Sequence, residues 1–212
     1  MAFDGWPEEA LDFFDGLEAD NSKSYWLAHK DTYDTCVLAP MSELLAELEP
    51  EHGDTKIYRP YRDVRFSKDK SPYKTAIGAH VGDGYIQLSA AGLAAGRGMY
   101  GMAADQLDRY RGAVAAEDSG AALEQVIAGL GTHDIEVHGR DSLKSAPRGY
   151  APDHPRIELL RHKGLVAWQQ WPVEPWLGTP DARTAVASFL VASRPLRDWL
   201  DHHVGPSEQP EP

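Results

Sequence analysis

The sequence predicts an α+β fold, an antiparallel β meander packed with several helices in a single compact domain. Three observations carry this reading. Apolar residues recur at helical spacing through residues 8–48. From Lys56 the pattern changes to short runs separated by glycine turns. No helix-length crossover separates those runs, which excludes a parallel arrangement for them.

The elements follow in order. Pro7 suits a first helical turn, Glu8 and Glu9 complement the helix dipole, and an apolar stripe runs through Leu11, Phe14 and Leu17 or through Ala10, Phe13 and Leu17. A second helix starts at Asn21 or Ser22 as N-cap and carries Trp26, Tyr33 and Val37 on one side. Pro40 is expected to interrupt it, with a further short helix over Ser42–Leu48 and a loop over Pro50–Asp54. Strands are expected over Ile57–Phe66, Ala76–Val81, Tyr85–Leu88 and Leu93–Tyr100, with Gly82-Asp83-Gly84 and Ala91-Gly92 as turns. Helices near 104–117 and 120–130, a short strand at 135–137, a helix over Pro155–Lys163 and a strand over Leu165–Trp171 come next. Thr179 and Pro180 open a last helix that runs toward Trp199 with a kink or break at Pro195. The domain is taken as residues 1–204, followed by a disordered tail over 205–212.

Composition narrows the function classes. The chain has 212 residues, a net charge of −12 and one cysteine, Cys36, which excludes an intramolecular disulfide and any multi-cysteine metal site. No stretch approaches the roughly 18 consecutive apolar residues of a membrane span, and the acidic N-terminus lacks a secretory pattern. A cytoplasmic location without membrane association is the expectation. Neither oligomeric state nor any cofactor is readable from these features.

Against this acidic background one segment, residues 56–74, is strongly cationic. It holds Lys56, Arg59, Arg62, Arg65, Lys68, Lys70 and Lys74 against Asp63 and Asp69. An acidic protein repels nucleic acid at long range, so a nucleic-acid partner is not favoured and a compact anion suits the segment better. Read as a strand, residues 58–66 place Tyr58, Pro60, Arg62, Val64 and Phe66 on one face, the better core face, with Arg59, Tyr61, Asp63 and Arg65 on the other. A buried Arg62 then needs a carboxylate or an anion, and Asp63 can pin Arg59 and Arg65. Pro60 as an edge or bulge reverses the assignment. Ser67-Lys68-Asp69-Lys70-Ser71-Pro72-Tyr73-Lys74 reads as a loop whose lysines, hydroxyls and amides form an anion cradle.

The string YRPYRDVRFSKDKSPYK resembles the signature of an uncharacterised family, domain of unknown function 2461. Further likeness lies in Phe13, Phe14, Leu17, Asn21, Trp26, Lys30 and Tyr33, in Gly96, Gly98 and Tyr100, and in Lys144, Pro147, Gly149, Tyr150, Pro155, Leu159, Leu160 and Lys163. The resemblance covers roughly residues 10–200. Ala76 departs from it, standing where a histidine often follows the Lys-Thr pair, which removes an imidazole from beside the loop. The resemblance implies a mixed α/β fold and no agreed activity.

Other motifs carry less. Ser67-x-x-Lys70 has the spacing of a Ser–Lys nucleophile but lacks the Ser-Asp-Asn and Lys-Thr-Gly elements that chemistry uses. His133, Asp134, Glu136 and His138 gather possible ligands at a strand end, and no metal is assigned to them. Trp168, Trp171 and Trp176 read as packing residues rather than a stacking platform. Glu158 is assigned as partner of Arg62, with Lys163 supplementing the site; the alternative is an i,i+3 pair with Arg161. The expected ligand-binding set is therefore Arg59, Arg62, Arg65, Ser67, Lys68, Lys70, Lys74, Glu158 and Lys163, with Asp63, Asp69 and Tyr73 as candidates for a catalytic role. Two functions fit: binding or acting on a small phosphorylated or otherwise anionic compound, or a non-catalytic module docking an acidic protein or a nucleic-acid end.

Overall fold

The computed structural model describes residues 2–65, 68–139 and 141–208. In chain order the helices are α1 (Glu8–Ala19), α2 (Lys23–Ala28), α3 (Lys30–Thr32), α4 (Ala39–His52), α5 (Ala104–Ala115), α6 (Glu117–Gly131), α7 (Ile157–Arg161), α8 (Asp181–Ala192) and α9 (Arg194–His203). The strands are β1 (Thr55–Ile57), β2 (Ala76–Val81), β3 (Gly84–Ser89), β4 (Gly92–Met99), β5 (Glu136–His138) and β6 (Leu165–Trp171). They form one six-stranded antiparallel sheet in the order β1-β2-β3-β4-β6-β5, so the fold class is α+β. Packing divides the chain into two units, Met1–Ala95 with Gln170–Ser188, and Gly96–Gln169 with Phe189–Pro212.

In the first unit, α1 buries Ala10, Phe13, Phe14 and Leu17, merging parts of the two stripes seen in the sequence, while Leu11 stays half-exposed. Ser22 caps α2 by accepting a bond from the Tyr25 amide at 3.1 Å. Pro40 does not break the helical run, contrary to expectation. The chain passes from α3 through a π-helical turn, Tyr33–Leu38, into α4, whose first turn contains Pro40. A first-turn proline withholds no needed N–H, and the wider π winding relaxes the ladder just ahead of the ring. Helix α4 then runs on through Pro50 to His52, where Gly53, at φ 98°, ends it.

Strands β2 and β3 pair in register, with Ile77 opposite Leu88 and Gly78 opposite Gln87. Ile77, Ala79 and Val81 on β2 and Ile86 and Leu88 on β3 are buried on one face. The other face carries Ala76, His80, Tyr85, Gln87 and Ser89, all half-exposed, and Gly78, which is covered. Gly82, at φ 53°, turns the hairpin; a Cβ there would meet the His52 carbonyl oxygen at 2.0 Å.

The second unit is organised by polar ties from buried or partly buried side chains. The Tyr110 ring is fully buried in α5 and its hydroxyl donates to the Leu159 carbonyl at 2.9 Å. Arg156, only 8% exposed, donates to Glu124 at 2.9 Å. Ser193 separates α8 from α9, and Pro195 sits in the first turn of α9, so the break falls beside the residue that signals it. Where the sequence suggests a free tail from Gly205, residues 205–208 are tied to α5. Gln106 donates to the Gly205 carbonyl at 2.8 Å, and Asp105 accepts from the Ser207 hydroxyl and the Glu208 amide at 2.8 and 2.9 Å. The Glu208 amide, with Ser207 and Arg109, holds the Asp105 carboxyl down at about 2. Residues 209–212 lie outside the described residues. Among the described residues no helix is long and apolar enough to cross a membrane.

Candidate functional site

The cationic segment leaves the sheet early. Strand β1 pairs with β2 only through Ile57, after which the Tyr58 amide still donates to the Gly78 carbonyl at 2.8 Å. The chain then builds a small ladder on itself. Arg62 N–H donates to the Pro72 carbonyl at 2.9 Å, Lys74 N–H to the Pro60 carbonyl at 2.8 Å, and Tyr61 stands opposite Tyr73. Both prolines serve as acceptors only, which their missing N–H requires. Over residues 58–65 the long strand expected over 57–66 is thus replaced by a loop with a paired base, and Phe66 lies outside the described residues.

That base is fastened to the helices. The Asn21 side chain binds the Tyr73 backbone on both sides, accepting from its amide at 3.0 Å and donating to its carbonyl at 3.1 Å. The Tyr73 ring stacks on Trp26 with centroids 4.4 Å apart and planes 5° from parallel. Tyr61 adds a ring 5.4 Å from Tyr73 and 6.1 Å from Trp26. Tyr73 is 5% exposed, and burial raises the pKa of its hydroxyl. Phe13 and Tyr33 complete the cluster around Trp26. The residues that carry much of the family resemblance therefore act first as an anchor.

The tip consumes its own charges. Arg65 grips Asp63 through Nε at 2.9 Å and Nη2 at 2.6 Å, and its amide bonds the same carboxylate at 3.2 Å. Asp69 takes the Arg62 guanidinium on one oxygen and the Ser71 amide on the other, the latter at 2.9 Å. Lys70 Nζ donates to the Val64 carbonyl at 2.9 Å. The Arg65 bonds hold Asp63 below the usual carboxylate range, and the Ser71 bonds, with help from Arg62, do the same for Asp69. Such carboxylates are weak proton acceptors, poorly suited to general-base work. Lys68 is exposed, and Ser67 lies outside the described residues.

Beside the base, the outward face of β2 and β3 opens into a pocket of about 350 Å³. Tyr58, Arg62, Lys74, Thr75, Ala76, Gly78, Tyr85 and Gln87 line it. The floor has room because Gly78 lacks a side chain; a Cβ there would lie 2.6 Å from the Tyr85 hydroxyl oxygen. Tyr85 in turn donates to Gln87 Oε1 at 3.0 Å, which leaves the Gln87 amide nitrogen with protons to offer a ligand. Lys74 Nζ lies 5.6 Å from the centre of the Tyr58 ring. Burial, and then the charge of Arg59, lower the Lys74 pKa.

The expected site residues are thus sorted by the fold. Arg62 and Lys74 line the pocket, and Arg59 is near enough to act on Lys74 electrostatically. Arg65, Lys68 and Lys70 do not line it. Arg62 is not a core residue, its side chain being 36% exposed, and the carboxylate that holds it is Asp69 rather than Glu158. Glu158 instead pairs with Arg161 at 2.7 Å, the i,i+3 alternative, and the Lys163 amide donates to the Asp141 carbonyl at 3.2 Å; both residues belong to the second unit. The sequence reading missed Tyr58, Thr75, Tyr85 and Gln87. Alternation along β2 and β3 was the available signal, since it turns Tyr85 and Gln87 to the face away from Ile86 and Leu88.

Other motifs fall outside the pocket. His138 Nε2 lies 2.9 Å from Glu136 at the end of β5, and among the described residues no three His, Cys, Asp or Glu side chains converge on a metal position. Trp171 and Trp176 meet edge to face at 6.3 Å.

Fold and site together define an α+β protein with a pocket lined by an arginine, a lysine and two tyrosines. The chain belongs to the conserved hypothetical protein family DUF2461, whose model matches residues 9–199. No curated protein and no solved structure matches it.

Proposed function

We propose that the protein binds, and in binding serves to act on or sense, a small phosphorylated or otherwise anionic compound in the Arg62–Lys74 pocket. One observation carries this reading. In a chain of net charge −12, the pocket is lined, among the described residues, by two cationic side chains and no carboxylate. Arg62 is preorganised for the task, its backbone held in the ladder and its guanidinium steadied by Asp69. Thr75, Gln87 and the tyrosine hydroxyls add neutral donors suited to the uncharged part of such a ligand.

The test is a thermal-shift screen of phosphate, sulfate and nucleotides at constant ionic strength. A ligand that binds the native state raises Tm by mass action, with about 2.7 kcal/mol of stabilisation at a hundred times its Kd. A saturable rise that vanishes in Arg62→Ala supports the reading. If no anion shifts Tm at constant ionic strength while an acidic macromolecule co-purifies with the chain, the loop is a docking module and the reading is wrong.

A further inference from the structure

We infer that Lys74 is an imine-forming lysine, and that the pocket takes a small carbonyl compound carrying an anionic group, such as a 2-oxo acid or an anionic aldehyde. This rests on the anion-binding reading of the same pocket and assigns it a reactive atom. Three features of Lys74 support it. The first is the want of a partner: among the described residues no carboxylate or carbonyl oxygen lies within bonding distance of its Nζ, and the Tyr58 ring centre is 5.6 Å away. Lys30 and Lys70 differ, being bonded to Asp34 and to the Val64 carbonyl. The second is placement, since the amine lines a pocket that Arg62 also lines, so an anionic group on Arg62 brings an attached carbonyl within the same small volume. The third is electrostatic. Partial burial and the Arg59 charge both disfavour the ammonium form, which raises the share of neutral amine, and a cation beside a lysine is a known means of activating it as a nucleophile. Attraction to the Tyr58 ring opposes this, but at 5.6 Å it acts near the outer limit of such contacts.

The chemistry balances without a redox partner. The Lys74 nitrogen lone pair adds to the carbonyl carbon, a C–N bond forms, and the C=O π pair moves to oxygen. A proton passes from nitrogen to that oxygen to give a carbinolamine. Loss of the hydroxyl as water, with the remaining nitrogen proton, leaves a C=N bond. The anionic group stays on Arg62 throughout.

The experiment uses the full chain with glyoxylate as anionic aldehyde, glyceraldehyde as neutral control and sodium cyanoborohydride, which delivers hydride to the imine carbon and fixes a secondary amine. Peptide mapping by mass spectrometry locates the adduct. Lys74 is expected to label with glyoxylate roughly tenfold faster than exposed lysines such as Lys23 and Lys68, and glyceraldehyde, which has no anionic group for Arg62 to hold, is expected to show a smaller preference. Lys74→Arg removes that adduct, because a guanidinium does not condense in this way. Arg62→Gln lowers the Lys74 rate toward that of the exposed lysines. A Lys74 rate equal to theirs in the wild-type chain overturns the inference. If phosphate still raises the wild-type Tm in that case, the anion site stands and only the imine chemistry falls. If phosphate leaves Tm unchanged, both fall.

Discussion

The tip and the base of the cationic loop have similar composition and opposite character. At the tip, Asp63 closes on Arg65 and Asp69 on Arg62 and Ser71, all exposed residues but the half-buried Ser71. At the base, Tyr73 is buried on Trp26 and clamped by Asn21, and Lys74 faces a pocket without a counter-ion among the described residues. The difference teaches that charge density alone does not make a receptor. A cation becomes available to a ligand when its backbone is fixed elsewhere and its neighbours leave its charge unspent. Arg62 joins the two regions, its amide in the ladder and its guanidinium shared with the tip.

The comparison can be broken most forcefully at the anchor. Trp26→Ala removes a side chain that is 3% exposed and carries the Tyr73 stack, so about 3–5 kcal/mol of stability should be lost in urea denaturation. Asn21→Ala strands the Tyr73 amide and carbonyl, and about 1–3 kcal/mol should go in the same assay. Arg62→Ala should abolish the anion-induced rise in Tm, whereas Arg65→Ala and Lys68→Ala, away from the pocket, should keep it. Equal losses from all three would erase the distinction between tip and base. The smallest effect is acid titration of the tip. The Arg65 and Ser71 bonds lower the carboxyl pKa values of Asp63 and Asp69 on folding, so their contribution is present above the ordinary aspartate value and fades as pH falls through the lower folded pKa. Carboxyl chemical shifts followed by NMR should show both titrating below an ordinary aspartate, and ordinary titration would mean the Arg65 and Ser71 bonds do not persist in solution.

Local signals in the sequence marked much of the fold. Strands β2 and β6 fall at the expected 76–81 and 165–171, β2 because the Gly82–Gly84 turn and the alternating Ile77, Ala79 and Val81 mark it, β6 because it is a run rich in aliphatic and aromatic residues after Gly164. The strand expected over Ile57–Phe66 shows the limit. Its alternation placed Arg62 on the core face, but the ring that reaches the core is Tyr73, supplied by the opposite arm of the loop. Parity describes a strand only while a partner strand enforces it, and here the partner is a two-bond ladder interrupted by Pro60 and Pro72. The candidate site was half legible for a similar reason. Arg62 and Lys74 stood out by charge, whereas Tyr85 and Gln87 were signalled only by the alternation of β3 and its hairpin pairing with β2, and no local pattern brings the base of the cationic loop beside that face.

The π-helical turn at Tyr33–Leu38 amounts to one residue inserted into an otherwise continuous α-helical path. Upstream of it Trp26 faces the aromatic cluster, which Tyr33 joins from the first position of the turn; downstream Met41, Leu44 and Leu48 are wholly buried. Each residue advances an α-helix by about 100°, so deleting one residue here would restore regular winding and swing one of these apolar sets away from its neighbours. Substitutions within the turn are therefore tolerable in a way that a change in its length is not. Gaps between relatives should avoid this stretch.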